Sequence, residues 1–305
     1  MTTQKQFQSE GYFPLIARPA LPKDAQEVMD FTHRIWEGED YVPDVWMDWL
    51  ADTVGMLAVV EWKGHVVGTG KLTKLSQDQW WLEGLRVHPD FEGRGIASHL
   101  NDYLLDIWQR TGSGFIRLAT ASTRMPVRHL CERSGFRKIG EFSIYVASEI
   151  EEINKETSTN PFTKLDHQEL HNALDFIAQN PDFQSSFGLM DLGWEWATPK
   201  ADLLEEAVQS TQVMWWLGRK GLLITREDLE DDGSTLYIQF LVCEQKEMIS
   251  CLRDFRWLAS QKGLHEAKWI APCQPDIEAI ILKAGFERQW DNSLLLFEKE
   301  HPSSA

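Results

Sequence analysis

Apolar positions follow Pro22-Lys23-Asp24 at helical spacing, and Ala25, Val28, Met29 and Trp36 predict an amphipathic helix opened by the proline. A second helix is expected over residues 43–50. Residues 56–62 and 65–75 read as strands joined by Lys63-Gly64, a hairpin turn signal, and 80–87 as a third strand. A glycine-containing loop follows. Beyond it Ile96, Leu100, Leu104, Ile107 and Trp108 form the stripe of a long helix, 96–110, that faces a sheet. A strand over 115–120, a helix over 126–134 and a strand over 137–146 complete the first half. Residues 1–10 are a polar tail, and 148–163 are polar and rich in breakers. The latter read as a linker between domains at 1–147 and 164–305.

The second half repeats the first faintly. Ser134-Gly135-Phe136-Arg137-Lys138 precedes a strand, and Ala284-Gly285-Phe286-Glu287-Arg288 does the same 150 positions later. Ser98, Leu100, Asp102 and Tyr103 recur as Ser250, Leu252, Asp254 and Phe255 at an offset of 152, and the strand at 115–120 has a counterpart at 266–271. A near-constant offset across several elements points to duplication of one fold.

Composition narrows the classes. With 43% hydrophobic and 25% charged residues over 305 positions, the chain is globular and long enough for two domains. Its net charge of −17 disfavours nucleic-acid and anionic-membrane partners, which require a basic face. The charge is uneven: residues 1–150 hold 16 basic and 20 acidic groups, the remainder 14 and 27. A polyanionic cofactor therefore belongs on the first half. No stretch reads as a signal peptide or as the ~18 apolar residues of a membrane span. Cys131, Cys243, Cys251 and Cys273 show no CxxC spacing, so reduced thiols and a cytoplasmic location are expected. His167-x-x-x-His171 lacks a third ligand at suitable spacing, and no metal is expected. The acidic run 227–232 reads as a solvated turn.

One stretch carries candidate chemistry: Leu82-Glu83-Gly84-Leu85-Arg86-Val87-His88-Pro89-Asp90-Phe91-Glu92-Gly93-Arg94-Gly95-Ile96-Ala97. It runs from strand through glycine loop to helix. Glycines let backbone N–H groups converge on a ligand, and the following helix directs its positive dipole end to the same place. The arrangement suits a pyrophosphate. It is not a dinucleotide fingerprint, because a third glycine is missing, and Gly68-Thr69-Gly70-Lys71 is not a Walker loop, because Leu72 follows. In the second half the matching positions are Gln245 and Glu247, within Val242-Cys243-Glu244-Gln245-Lys246-Glu247. That stretch has no glycine and cannot cradle a pyrophosphate.

Leu85-Arg86-Val87-His88-Pro89 followed by Glu92-Gly93-Arg94-Gly95-Ile96-Ala97 resembles the GNAT superfamily of acetyl-CoA-dependent N-acetyltransferases, over roughly residues 14–147. The resemblance implies a mixed α/β fold in tandem, the second copy degenerate. It implies acetyl-CoA as cosubstrate, with the pantetheine arm along Leu85, Arg86 and Val87 and the pyrophosphate on Gly93, Arg94, Gly95, Ile96, Ala97 and Ser98. Two departures stand out. Glu92 replaces the usual Gln or Arg, and Cys131 aligns with the family's tyrosine acid, where it could protonate the leaving thiolate. Arg124 replaces an asparagine near the cofactor arm. Glu83 is the candidate base for the amine; counted by twos it shares a strand face with Leu85 and Val87, provided that Gly84 makes no bulge.

A narrower resemblance, to the histidine N-acetyltransferase group, rests on Ile35-Trp36-Glu37-Gly38-Glu39-Asp40-Tyr41-Val42-Pro43, Trp49-Leu50 and the stretch from Leu82 to Val87. It implies acetylation of the α-amine of a free amino acid, with Trp36, Glu37, Asp40 and Tyr41 on the acceptor side. Carboxylates and aromatic faces together attract a small cationic amine. Arg86 and Arg124 are the candidate partners for its carboxylate. A peptide N-terminus, a polyamine, or acyl-CoA binding without turnover stay open as alternatives, as does the oligomeric state.

Overall fold

The computed structural model describes residues 14–148, 160–185, 187–209, 213–230 and 233–302. Contacts divide the chain into two compact units, one of residues 1–74, 82–113 and 301–305, the other of 75–81 and 114–300.

The first unit contains β1 (Ile16–Pro19), α1 (Ala25–Thr32), α2 (Val42–Ala51), β2 (Met56–Trp62), most of β3 (His65–Ser76) and β4 (Gln79–Val87), and α3 (Ile96–Thr111). The strand order is β1-β2-β3-β4, and β1/β2 and β2/β3 are antiparallel. Val28, Phe31, Val42 and Trp46 from the helices pack on Leu57, Val59 and Val66 of the sheet. Two glycines of β3 let α3 approach closely. A Cβ on Gly68 would stand 2.9 Å from Ile96, and one on Gly70 3.2 Å from Leu100. The Walker-like Gly68–Lys71 stretch is thus strand, and Lys71 is buried in an ion pair with Asp52.

One helix is shorter than its pattern predicts. α1 ends at Thr32, whose hydroxyl donates back to the Val28 carbonyl at 2.8 Å. Trp36 lies beyond it in a left-handed turn, with φ of 50° at Trp36, 59° at Glu37 and 97° at Gly38. Left-handed backbone costs a residue with a Cβ roughly 1–2 kcal/mol, which a sequence pattern does not anticipate at Trp and Glu.

The second unit continues with β5 (Phe115–Ala121), α4 (Met125–Arg133), β6 (Arg137–Ala147), β7 (Phe162–Lys164), α5 (Leu170–Gln179), α6 (Pro181–Ser185), β8 (Met190–Asp191), β9 (Trp196–Ala197) and α7 (Ala201–Gln209). Then come β10 (Val213–Trp216), β11 (Gly221–Glu230), β12 (Gly233–Cys243), α8 (Met248–Gln261), β13 (Glu266–Pro272), α9 (Pro275–Lys283), β14 (Glu287–Arg288) and β15 (Leu294–Glu300). Its sheet runs from the opening residues of β4 through β5-β15-β6-β13-β12-β11-β10-β7.

The repeat inferred from sequence is visible in this topology. β4 pairs in parallel with β5 over Gln79–Trp81, and β12 pairs in parallel with β13 over Thr235–Ile238. A helix intervenes each time, α3 or α8, and a short helix and a strand follow. The two closing strands have changed places. β15, the last of the second copy, lies between β5 and β6, and β6 pairs with β13 over Phe142–Ala147. Charges fix this register: buried Glu298 of β15 binds Arg117 of β5 at 2.8 Å and Arg137 of β6 at 2.8 Å.

Two sequence expectations meet the structure differently, and a third lies outside the described residues. Of the proposed linker, residues 149–159 lie outside the described residues, and its end, Phe162 and Thr163, is strand. The polar tail of residues 1–10 also lies outside them. The acidic run is not a turn over its described part, because Glu227–Glu230 belong to β11, in register with Ser234–Leu236 and Gly233 of β12.

Candidate active site

The glycine loop is built as its sequence requires. Gly93 and Gly95 have φ of 73° and 80°, and a Cβ on either would meet no atom within 4 Å. Both glycines are exposed, so their backbone faces open space. Gly95 is the N-cap of α3 and offers no side chain to its first turn. The amide N–H groups at the start of a helix have no intrahelical acceptor, which leaves those of Ile96, Ala97 and Ser98 directed outward for an anion. Ile96 itself is buried under β3, while Ala97 and Ser98 are half-exposed. The Arg94 guanidinium lies over the Phe91 ring at 5.1 Å and the Trp62 ring at 5.9 Å, a cation held beside the loop. Glu92 is exposed, so its carboxylate can turn to solvent.

Upstream, β4 is not a regular strand. Gly84 has φ of 61°, the left-handed conformation typical of a glycine bulge. Glu83, Leu85 and Val87 are all half-buried, while Leu82, Gly84 and Arg86 between them are buried. Glycine is needed for a second reason, since a Cβ would stand 2.5 Å from the Trp49 ring of α2. Glu83 accepts a hydrogen bond from the Thr73 hydroxyl of β3. Thr73 has no signal in the sequence, because the hairpin register that brings it opposite Glu83 is set by pairing.

The acceptor-side residues assemble around Arg86. Its Nε donates to Asp40 Oδ2 at 2.7 Å, its Nη2 to Asp40 Oδ1 at 3.0 Å and its Nη1 to the Leu85 carbonyl at 3.2 Å. Arg86 is 7% exposed and Asp40 5%. The Trp36 ring covers the guanidinium at 4.2 Å, with the Tyr41 ring 5.2 Å away. This corrects two sequence expectations. Asp40 is a buried partner of Arg86 and not an exposed substrate contact, and Arg86 is already bound bidentately, so it is unsuited to take a substrate carboxylate. Its backbone remains part of β4. Trp36, 47% exposed, and Glu37, also exposed, do present surface to solvent. Tyr41 is 41% exposed; burial raises its pKa, the Arg86 charge opposes the rise, and the Glu83 charge adds to it.

Cys131 and Arg124 belong to the second unit. Cys131 is 2% exposed, and burial pushes its thiol to about 12, with Glu132 adding to the rise. A buried thiol that holds its proton so firmly is a poor donor to a thiolate of ordinary pKa near 8.5. Arg124 is exposed at the N-cap of α4. In the second copy the loop equivalent is the turn Gln245–Glu247 before α8, and the Gln245 N–H is taken by Asp182 at 2.7 Å. His167 pairs with Glu205 and His171 with Asp175; among the described residues no cluster of His, Cys, Asp or Glu could hold a metal ion. No helix among them is long and apolar enough to cross a membrane.

Residues 24–136 match the sequence model of the acetyltransferase (GNAT) family. The wider fold agrees. A GCN5-related N-acetyltransferase from Sphaerobacter thermophilus superposes with a TM-score of 0.62 at 12% identity, covering 94% of this chain and 95% of that one. A tandem GNAT protein from the clavulanic acid biosynthesis pathway superposes at 0.58 with 11% identity, over 94% and 98%. In sequence, the histidine N-acetyltransferase of Xenopus tropicalis is 29% identical over 99 residues, 32% of this chain and 30% of that protein. The one from Oreochromis niloticus is 32% identical over 82 residues, 27% and 24%. The chain thus matches less than a third of the length of these relatives.

Proposed function

We propose that the protein transfers the acetyl group of acetyl-CoA to a small amine, specifically the α-amine of a free amino acid such as histidine. The observation that carries the transferase reading is the pair of left-handed glycines ahead of α3, whose backbone faces open space. Bound there, acetyl-CoA supplies an activated thioester. The amides from Gly93 to Ser98 hold its pyrophosphate, Arg94 adds a positive charge, and Leu85, Arg86 and Val87 line the arm. Glu83, set by Thr73, removes a proton from the amine so that a neutral nucleophile attacks. Trp36, with Glu37 beside it, offers an aromatic face and negative charge to the cationic amine. The amino-acid acceptor is supported by the likeness to histidine N-acetyltransferases and by the small, acidic and aromatic character of the segment from Trp36 to Tyr41. Residues 1–147 act as the catalytic domain, and 164–305, lacking the glycines, as a copy that packs and shapes.

The test is acetyl-CoA-dependent thiol release with L-histidine, other amino acids, polyamines and N-terminal peptides in competition. Preference for free amino acids supports the reading. Turnover of peptides alone moves the acceptor to a protein N-terminus, and acetyl-CoA binding without release with any amine defeats transfer.

A further inference from the structure

The turn before α8 stands where the first half has its glycine loop, and beside it lies a cleft of about 570 Å³, within the usual range for a small-molecule site. Three elements of the second unit border it: the end of α5, the connection between β10 and β11, and the turn before α8. Asn180 lines the cleft and is 6% exposed. Its Oδ1 accepts the Phe183 N–H at 2.8 Å, while its Nδ2 donates to no group among the described residues. Two N–H donors are thus left at a buried position. Arg219 and Lys220 bring cations to the same cleft from the β10–β11 connection. The Arg219 guanidinium lies 5.7 Å from the Trp215 ring, and Phe176, also on the cleft, meets that ring edge-on at 5.4 Å. The turn before α8 contributes Glu244, Lys246 and Glu247. Three bases to two acids is a local reversal in a half that holds 14 basic and 27 acidic residues. Lys220 approaches Glu247 only to 3.8 Å, Lys246 pairs with Glu244, and Arg219 pairs with Glu169. Exposed pairs of this kind contribute little, so a ligand's charges can replace them.

We propose that this cleft binds the α-carboxylate of an amino acid, free or N-acylated. The Asn180 amide, Arg219 and Lys220 receive the carboxylate, a planar acceptor matched to guanidinium and amide donors. Glu244 and Glu247 accept from the nitrogen beside it, which carries an N–H both as ammonium and as acyl amide. The same two carboxylates repel a pyrophosphate, and the Gln245 N–H is committed to Asp182, so the cleft is not a second cosubstrate site. Phe176 is half-buried and offers apolar surface to the ligand's side chain. The choice of an amino acid as ligand rests on the acetyl-transfer reading; the cleft and its carboxylate chemistry do not. The copy that lost the glycine loop thereby has a ligand of its own, and the chain binds its acceptor or its product at a site without a cosubstrate.

Asn180→Asp keeps the oxygen that accepts the Phe183 N–H and removes the amide, so it assigns the Asn180 side-chain signal in nitrogen-15 spectra without loss of the cap. In the wild-type chain, without acetyl-CoA, that signal should shift saturably on titration with L-histidine or N-acetyl-L-histidine. Saturation by the free form marks a site for the acceptor, and saturation by the N-acetyl form a site for the product. Arg219→Gln combined with Lys220→Gln should raise the Kd read from the same signal at least about tenfold, with the melting temperature little changed. Histidinamide, which has the nitrogen but no carboxylate, should leave the signal unmoved. No saturable shift with either form, an equal shift with histidinamide, or an unaltered Kd in the double variant overturns the proposal. The titration involves no turnover. Absence of thiol release with every amine would therefore remove the transferase reading and leave this site to be decided by its own spectra.

Discussion

At Gly95 the backbone and the space around it make different demands. A side chain would touch no protein atom, yet φ is 80°, so substitution costs the fold roughly 1 kcal/mol of strain. The same side chain would occupy the volume assigned to the pyrophosphate. Gly95→Asp is therefore expected to abolish acetyl-CoA binding in titration calorimetry while lowering the melting temperature by only a few degrees; unchanged affinity would refute the assignment. Glu83→Gln should lower kcat by about 10²–10⁴-fold and remove the limb along which the rate rises with pH, with the acetyl-CoA Kd unaltered. Near-normal turnover would move the base elsewhere. The glycine loop was readable from the sequence because its chemistry is local. Arg86 was misread because its partner Asp40 lies 46 positions away, and two buried opposite charges look like two available ones until folding joins them.

Elements were legible where burial imposes a period. The helices over 43–50, 96–110 and 126–134 and the first-half strands appear within a residue or two of their expected bounds, as α2, α3, α4 and β2 to β6. The failures are at positions where backbone strain or pairing overrides pattern: the left-handed turn at Trp36–Gly38 and the β11 extension through Glu227–Glu230. A smaller element carries a pH signature. Asp191, at the end of β8, is buried, accepts hydrogen bonds from the N–H groups of Gly193 and Trp194 at 2.7 and 2.6 Å, and faces the charge of Arg226. Burial outweighs these and raises its pKa to about 6. An acid whose folded pKa exceeds its unfolded value of about 4 binds its proton more tightly in the fold. Its stabilising contribution is complete below about pH 4 and lost as the pH climbs through about 6. Asp191→Asn keeps an acceptor oxygen without the charge. It is expected to stabilise the protein by about 2–3 kcal/mol at pH 8 and by much less at pH 4, in denaturant titrations at the two pH values. An equal effect at both would exclude ionisation as the cause.

For the whole molecule, the repeat predicts stoichiometry. One acetyl-CoA should bind per chain, because the second copy has Gln245 and Glu247 for the glycines and commits the Gln245 N–H to Asp182. Calorimetric saturation at two equivalents would contradict this. The sequence offset revealed the duplication but not the exchange of β6 and β15, since an alternating strand has the same pattern whichever neighbour it joins. Residues 1–147 expressed alone should lose the β15 partner of β5 and the β13 partner of β6, exposing two long strand edges. Aggregation or lack of cooperative unfolding is the expected outcome, and a soluble, cooperatively folded fragment would argue against it.

The exchange also bears on what the covalent connection between the copies contributes. Each copy completes the other's sheet, as protomers do in a swapped homodimer, so strand pairing holds the two copies together in addition to the chain that joins them. A chain nicked by protease within residues 149–159 is then expected to survive as a two-fragment complex through gel filtration. Once denatured, the fragments should refold with a rate that depends on their concentration.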